Sequence, residues 1–245
     1  MIMIIIFFIL ASITGSFIGL LVFRLPRNQN FIFSRSFCEN CGHIIPFYRN
    51  IPIISFLIQR GRCKYCNSKI DFCCFLLEIL TPLVIIVLYL RYGISIGFFY
   101  KSLIYGLLLL ISFIDMKIKI ILDRLCFTLI FLTFLHSIFF YNLEKWYLGA
   151  AAYSFPLLFL YSLSDLLKSK RELIGFGDIK LLFGIGGLIL YENLAELLVF
   201  YELLYIFTGI FCISGISLKI LNKKNYIAFA PFIVLAAFLM EFRYV

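Results

Sequence analysis

Eight stretches of this chain are apolar for long enough to predict membrane-spanning helices: 1–23, 72–91, 94–115, 118–141, 146–165, 179–196, 197–218 and 225–242. Crossing about 30 Å of hydrocarbon takes roughly 20 helical residues. The sixth and seventh runs are hard to separate around "LYENLAELLVFYELL". The first run, "MIMIIIFFILASITGSFIGLLVF", has no positive charge ahead of it, whereas Arg24 and Arg27 follow it at once. It therefore reads as an uncleaved helix with its N-terminus outside. The predicted fold is an all-α polytopic membrane protein with about eight transmembrane helices.

Composition agrees with that pattern. The chain is 63% hydrophobic, 19% aromatic and 14% charged, with a mean hydropathy of +1.05, well outside the usage of soluble domains. Threading it from an outside N-terminus places 24–71, 116–124, 165–180 and 219–224 on the cytoplasmic side. Those segments hold eight, three, four and three of the 22 Lys and Arg residues, leaving only Arg91, Lys101, Lys145 and Arg243 on the other face. Shifting one span would scatter these charges, so they support the span count separately from hydropathy. The net charge of +9 is thus accounted for by topology and calls for no nucleic-acid partner; the partner implied by composition is membrane lipid.

The only sizeable polar insertion is 24–71, between the first and second helices. Within it, "CENCGHIIPFYRNIPIISFLIQRGRCKYC" carries two CxxC pairs, Cys38 with Cys41 and Cys63 with Cys66. Each pair can present two thiolates in one tight turn, and two such turns complete a tetrahedral Cys₄ zinc site. Disulfides are disfavoured for a loop that charge places in the reducing cytosol. Four thiolates leave no open position, so the zinc would be structural. His43 reads as a loop residue, and Cys73, Cys74, Cys126 and Cys212 as packing residues within spans.

Acidic residues in or beside spans are functional candidates. Glu192, Glu196 and Glu202 fall near an outer junction and read as water-facing, while Glu78 reads equally as the partner of a loop arginine or as a functional group. Asp115, closing "LLLLISFID", and Asp178, in "GFGDIKLL", both arrive at the cytoplasmic boundary. Two carboxylates in one pocket share a proton. The charged one can take a proton from water while the protonated one hydrogen-bonds a scissile carbonyl. Gly175 and Gly177 would let a substrate strand approach closely. The plainer alternative makes Asp178 a helix N-cap, and Asp123 remains an alternative to Asp115. No Ser–His–Asp set competes, since the two histidines are His43 and His136, the latter packed in a span. "GIGG" at 184–187 reads as close helix packing.

Together these segments resemble the type IV prepilin peptidases, membrane aspartyl proteases of the GxGD type. "GSFIGLLVFRLP" at 15–26 is similar to that family's first-helix signature. The cysteine loop with its NIP phrase, "LLE" at 76–78, "IDMKIKIILDRL", "GFGDIKLL" and "AFAPF" at 228–232 resemble its other motifs. The resemblance implies a bacterial inner-membrane endopeptidase of type IV pilus or type II secretion systems. It would cleave the leader of prepilins or pseudopilins at the cytoplasmic face, with Asp115 and Asp178 catalytic. In many members the new N-terminus is then methylated from S-adenosylmethionine, an activity linked to the cysteine loop. The organisation expected is a first helix at 1–23, a zinc-binding loop at 24–71 and a transmembrane protease domain at 72–245. The chain departs from the family pattern at Leu122, Ala228 and Ala230, and at Arg49, where an acidic residue often stands. Alternatives are a non-enzymatic scaffold of a pilus or secretion machine, its aspartates capping helices or pairing with Lys117, Lys119 or Lys180, and a presenilin-like protease.

Overall fold

The structure, a computed structural model, describes residues 2–30, 35–166, 175–219 and 226–242. Among them all eight apolar runs contain helices. These are α1 (Ile2–Arg24), α3 (Phe72–Tyr92), α4 (Ile96–Ile118), α5 (Asp123–Phe140), α6 (Leu143–Leu166), α7 (Phe176–Ile189), α8 (Leu194–Ser217) and α9 (Ala230–Glu241); a short α2 (Ile54–Ile58) lies in the polar insertion. Among the described residues, six helices are long and apolar enough to cross a membrane. Of the other two, α7 has 14 residues and α9 has 12. At 1.5 Å per residue they reach about 21 and about 18 Å. The protein is a multi-pass, all-helical membrane protein whose chain divides into two compact units, Met1–Phe113 and Ile114–Val245, the division falling within α4.

In the first unit α1 packs along α3. Its buried positions, Ala11, Ser12, Gly15, Ile18, Gly19 and Val22, recur at helical spacing and form one face, while Ile5, Phe8, Ile9, Ile13 and Phe17 remain exposed. An apolar outer face of that kind suits lipid. Gly15 is required by the packing, because a Cβ there would stand 2.6 Å from the Leu77 carbonyl oxygen. Asp71 caps α3, its carboxylate accepting from the Cys73 N–H at 2.9 Å. The following helix break comes at Gly93, with φ of 58°.

Between α1 and α3 several described residues take positive φ, and Ile53 is the β-branched one among them. Ile53 has φ 63° and ψ −55°, and the Ile54 N–H donates to the Pro52 carbonyl at 2.6 Å. This is a γ-turn of the rare hand, unfavourable for a β-branched residue, and such conformations cost about 1–3 kcal/mol.

In the second unit α7 packs against α5, α6 and α9. "GIGG" is the reason it can. A Cβ on Gly184 would meet Leu129 at 2.8 Å, one on Gly186 would press on the Gly149 carbonyl of α6, and one on Gly187 would collide with the Trp146 indole. The run at 179–196 is broken where Leu190 takes φ of 66° and Asn193 caps α8, its side chain accepting from the Glu196 N–H at 2.9 Å. Glu196 is therefore buried at this cap, in contrast to the water-facing position expected, whereas Glu192 and Glu202 are exposed. His136 is buried against Phe140 and Tyr141.

Candidate active site and cysteine centre

Asp115 lies in the last turn of α4 and Asp178 in the first turn of α7. Both line one cavity of about 240 Å³ within the second unit, together with Gly175, Gly177, Lys119 and Lys180. Asp115 is buried, and its Oδ2 accepts from the Ala230 N–H at 3.1 Å. That N–H opens α9, where no intrahelical carbonyl is available to it. Asp178 is half-buried and lies within electrostatic reach of Asp115. The helix N-cap is Gly175, with Asp178 three residues on, so Asp178 does not take the capping place that a plain helix start would give it.

The glycines have packing reasons of their own. A Cβ on Gly177 would stand 3.0 Å from the Ile121 Cβ, and one on Gly175 would stand 3.1 Å from the Asp178 carboxylate. Ile121 belongs to the turn that leaves α4, where Lys119 takes φ of 55° and donates its N–H to the Asp115 carbonyl at 2.8 Å. Asp123 also reaches this cavity, but it is more than half exposed and is paired with Lys180 at 2.7 Å. Asp115, buried and bonded to a backbone N–H, and Asp123, exposed and paired with Lys180, are chemically unlike.

In the first unit the four cysteines Cys38, Cys41, Cys63 and Cys66 converge, with all their sulfurs within 4.8 Å of one another, a group that could hold a metal ion. Two similar turns bring them there. In the first, Phe37 bridges Ile44, the Cys38 N–H donates to His43 and the Gly42 N–H to Cys38; in the second, Arg62 bridges Lys69, the Cys63 N–H donates to Ser68 and the Asn67 N–H to Cys63. Gly42 and Asn67, at φ of 69° and 58°, close the two turns, and both residue types tolerate that region. The Ser68 hydroxyl lies 3.0 Å from the Cys66 sulfur; hydrogen bonds from the Ser68 side chain and backbone push the Cys66 thiol down to about 6. His43 is not part of that cluster; its ring lies tilted against Tyr65 with centroids 3.5 Å apart.

Residues 102–240 match the model of the type IV leader peptidase family, and residues 9–92 match that of the bacterial peptidase A24 N-terminal domain. The chain belongs to the type IV leader peptidase family. Relatives named "Prepilin leader peptidase/N-methyltransferase" include that of Bacillus subtilis (strain 168), 29% identical over 96% of this chain and 92% of its own length. That of Aeromonas hydrophila is 28% identical over 95% and 88%, and that of Vibrio cholerae 28% over 76% and 77%. No solved structure matches the chain.

Three family-like segments that are far apart in the sequence turn out to be neighbours. Gly15 and Ser16 of the first-helix signature, the NIP phrase and Glu78 of "LLE" meet around the Glu78 carboxylate, which accepts from the Ile53 N–H at 2.7 Å and from the Ser16 hydroxyl. Glu78 therefore bonds a loop backbone, where a loop arginine was one expectation. Sequence reading also missed Ala230 as the partner of Asp115. The "AFAPF" motif flagged the segment, but nothing in it pointed to a backbone N–H.

Proposed function

We propose that this chain is a prepilin peptidase that removes the leader of prepilins or pseudopilins, with Asp115 and Asp178 as its catalytic dyad. The observation that carries this reading is that the two aspartates line one cavity, though they lie on α4 and α7. One carboxylate takes a proton from the attacking water while the other, protonated, hydrogen-bonds the scissile carbonyl and stabilises the developing oxyanion. The proton gained from water then passes to the leaving amine, which restores the shared-proton state. The Ala230 N–H holds Asp115 in one orientation, which reduces what must be positioned during the reaction. Gly175 and Gly177, in the cavity wall, leave room for a substrate backbone.

The names of the relatives, as N-methyltransferases, support a second reaction, methylation of the new N-terminal amine, for which S-adenosylmethionine would supply the methyl group. The cysteine loop contains a cavity of about 510 Å³ lined by His43, Phe47, Tyr48, Tyr65, Asn50 and Arg35 among others. Its size falls within the range of small-molecule sites. Aromatic faces suit an adenine ring and a sulfonium cation, and Arg35 suits a carboxylate. Arg49, the departure from the family pattern, lies beside this wall with its guanidinium 5.4 Å from the Tyr48 ring centre and 5.2 Å from that of Tyr65.

Zinc is the ion we assign to the cysteine centre. A tetrahedron of sulfurs about 2.3 Å from zinc has edges of about 3.8 Å, and the Cys38 and Cys66 sulfurs are 3.8 Å apart. Such an ion would hold the two turns together and take no part in proteolysis. The basic loops support an orientation with the N-terminus outside and both sites facing the cytoplasm of the bacterial inner membrane.

Incubating the purified protein in lipid with a prepilin-like substrate, with and without S-adenosylmethionine, tests both reactions by intact mass of the substrate. Loss of the leader, followed by gain of one methyl mass only with the cofactor, is the expected result. An unprocessed substrate, in an assay that a Bacillus subtilis relative passes, would refute the proteolytic reading.

A further inference from the structure

Glu78 is a buried carboxylate, 9% exposed, inside a membrane helix. Burying such a group is unfavourable unless it is satisfied. No basic side chain pairs with it among the described residues; its partners are the Ile53 N–H, at 2.7 Å, and the Ser16 hydroxyl. The first of these belongs to a strained residue of the loop. A conformation of this kind persists only where its surroundings dictate it, and the Glu78 carboxylate bonds the Ile53 N–H from another helix, outside the turn itself. Glu78 is itself set in place by the contact of Gly15 with the Leu77 carbonyl, which brings α1 and α3 together and puts Ser16 beside the carboxylate.

We infer that Glu78 is a positioning residue that clamps the segment joining the two cysteine turns onto the α1 and α3 pair. It does so by holding Ile53 in the γ-turn from which α2 starts. Helix α2 also meets α3 through Phe56, stacked on Phe75 with ring centroids 4.4 Å apart and edge-on to Phe72; the clamp adds a fixed point ahead of that contact and sets where the start of α2 and the wall residues Phe47 to Asn50 stand. This reading rests on the geometry of the first unit alone and is independent of the reaction assigned to the chain.

Amide hydrogen exchange on the full-length protein in lipid tests the clamp, read at Ser55 and Leu57. Their N–H groups bond Ile51 and Ile53 across the turn. In Glu78→Ala the exchange at both should accelerate about tenfold or more, as expected when a hydrogen bond to a carboxylate is lost. Glu78→Gln keeps an acceptor of the same shape and should stay within about threefold of the parent. Ile53→Gly removes the strain, because glycine accepts positive φ; in the Glu78→Ala background it should recover most of the protection. That recovery would not occur if Glu78 merely filled space. Unchanged exchange in Glu78→Ala, equal acceleration in Glu78→Gln, or no recovery in the double variant would each overturn the inference. If Glu78→Ala does not accumulate, accumulation of the double variant supports the clamp, and its failure as well counts against it.

Discussion

Adding one methyl group at Gly186 should disable the protein from a distance. A Cβ at this position would press on the Gly149 carbonyl and stand 2.9 Å from both the Gly149 carbonyl carbon and the Tyr153 Cβ, where an ordinary contact begins near 3.4 Å. The obstacle is largely backbone, which cannot rotate away as a side-chain tip can. The two helices must therefore separate by about 0.5 Å or more, and overpacking of this kind destabilises by about 1–3 kcal/mol. Because α7 carries Asp178 in its first turn, the shift also moves one carboxylate relative to Asp115. A misplacement of about 1 Å is enough to lower a rate about 10²-fold, so Gly186→Ala should reduce kcat by about ten- to a hundredfold while lowering thermal stability in detergent. Gly209→Ala is the control: nothing lies within 4 Å of its added Cβ, and it should be as stable and as active as the parent. Leader cleavage and the unfolding midpoint, measured on both variants, decide the matter. A Gly186→Ala protein with parental kcat and stability would show that the α6 and α7 contact does not set the dyad.

Asp115→Asn or Asp178→Asn should each abolish leader cleavage while the protein still accumulates in the membrane, as followed by substrate mass and immunoblot. Asp123→Asn should change cleavage by less than about fivefold, because an exposed ion pair such as that with Lys180 contributes about 1 kcal/mol or less; a loss as deep as that of Asp115→Asn would make Asp123 the dyad member. Cys38→Ser should lower bound zinc by about one ion per chain, as read by elemental analysis, and full metal content would count against the four-cysteine site. Gly177→Ala should slow cleavage, and Ile121→Gly in the same chain should restore it if the glycine exists to admit Ile121. Failure to restore would favour the alternative that Gly177 makes room for substrate.

The spans were legible because lipid imposes a length and composition on any helix that faces it, and every apolar run does contain a helix. Their ends were less so. The run at 179–196 stays apolar through the Leu190 turn, so hydropathy could not show that α7 stops at Ile189; the signal was Asn193, a capping residue among hydrophobes. Likewise the run at 225–242 includes residues 226–229, which precede α9, with Pro231 marking the helix start. Single-residue signals, a capping asparagine and a proline, mark the two boundaries, and a window long enough to detect a span averages them away. The CxxC pairs were legible for the opposite reason: the two turns are local, each closed within eight residues. Contacts made by backbone groups, such as Ala230 with Asp115 and Ile53 with Glu78, leave almost no trace in residue identity.

The proposed dyad falls between these extremes. Charge bias alone predicts Asp115 and Asp178 at the same membrane face, but it could not bring them into one cavity. What brings α7 to its place is the glycine series at 184, 186 and 187, each with a neighbour that a Cβ would strike. Glycine in a helix interior is unfavourable by about 1 kcal/mol relative to alanine, so three in four residues weaken α7 as an isolated helix. The close approach to α5 and α6 offsets this only in the folded unit. Helix α7 thus depends on its neighbours both to exist and to hold Asp178 where Asp115 can reach it. It follows that substitutions on α5 or α6 opposite these glycines, at Leu129 or Trp146, should affect cleavage and stability together, whereas exposed positions such as Phe131 or Leu148 should affect neither.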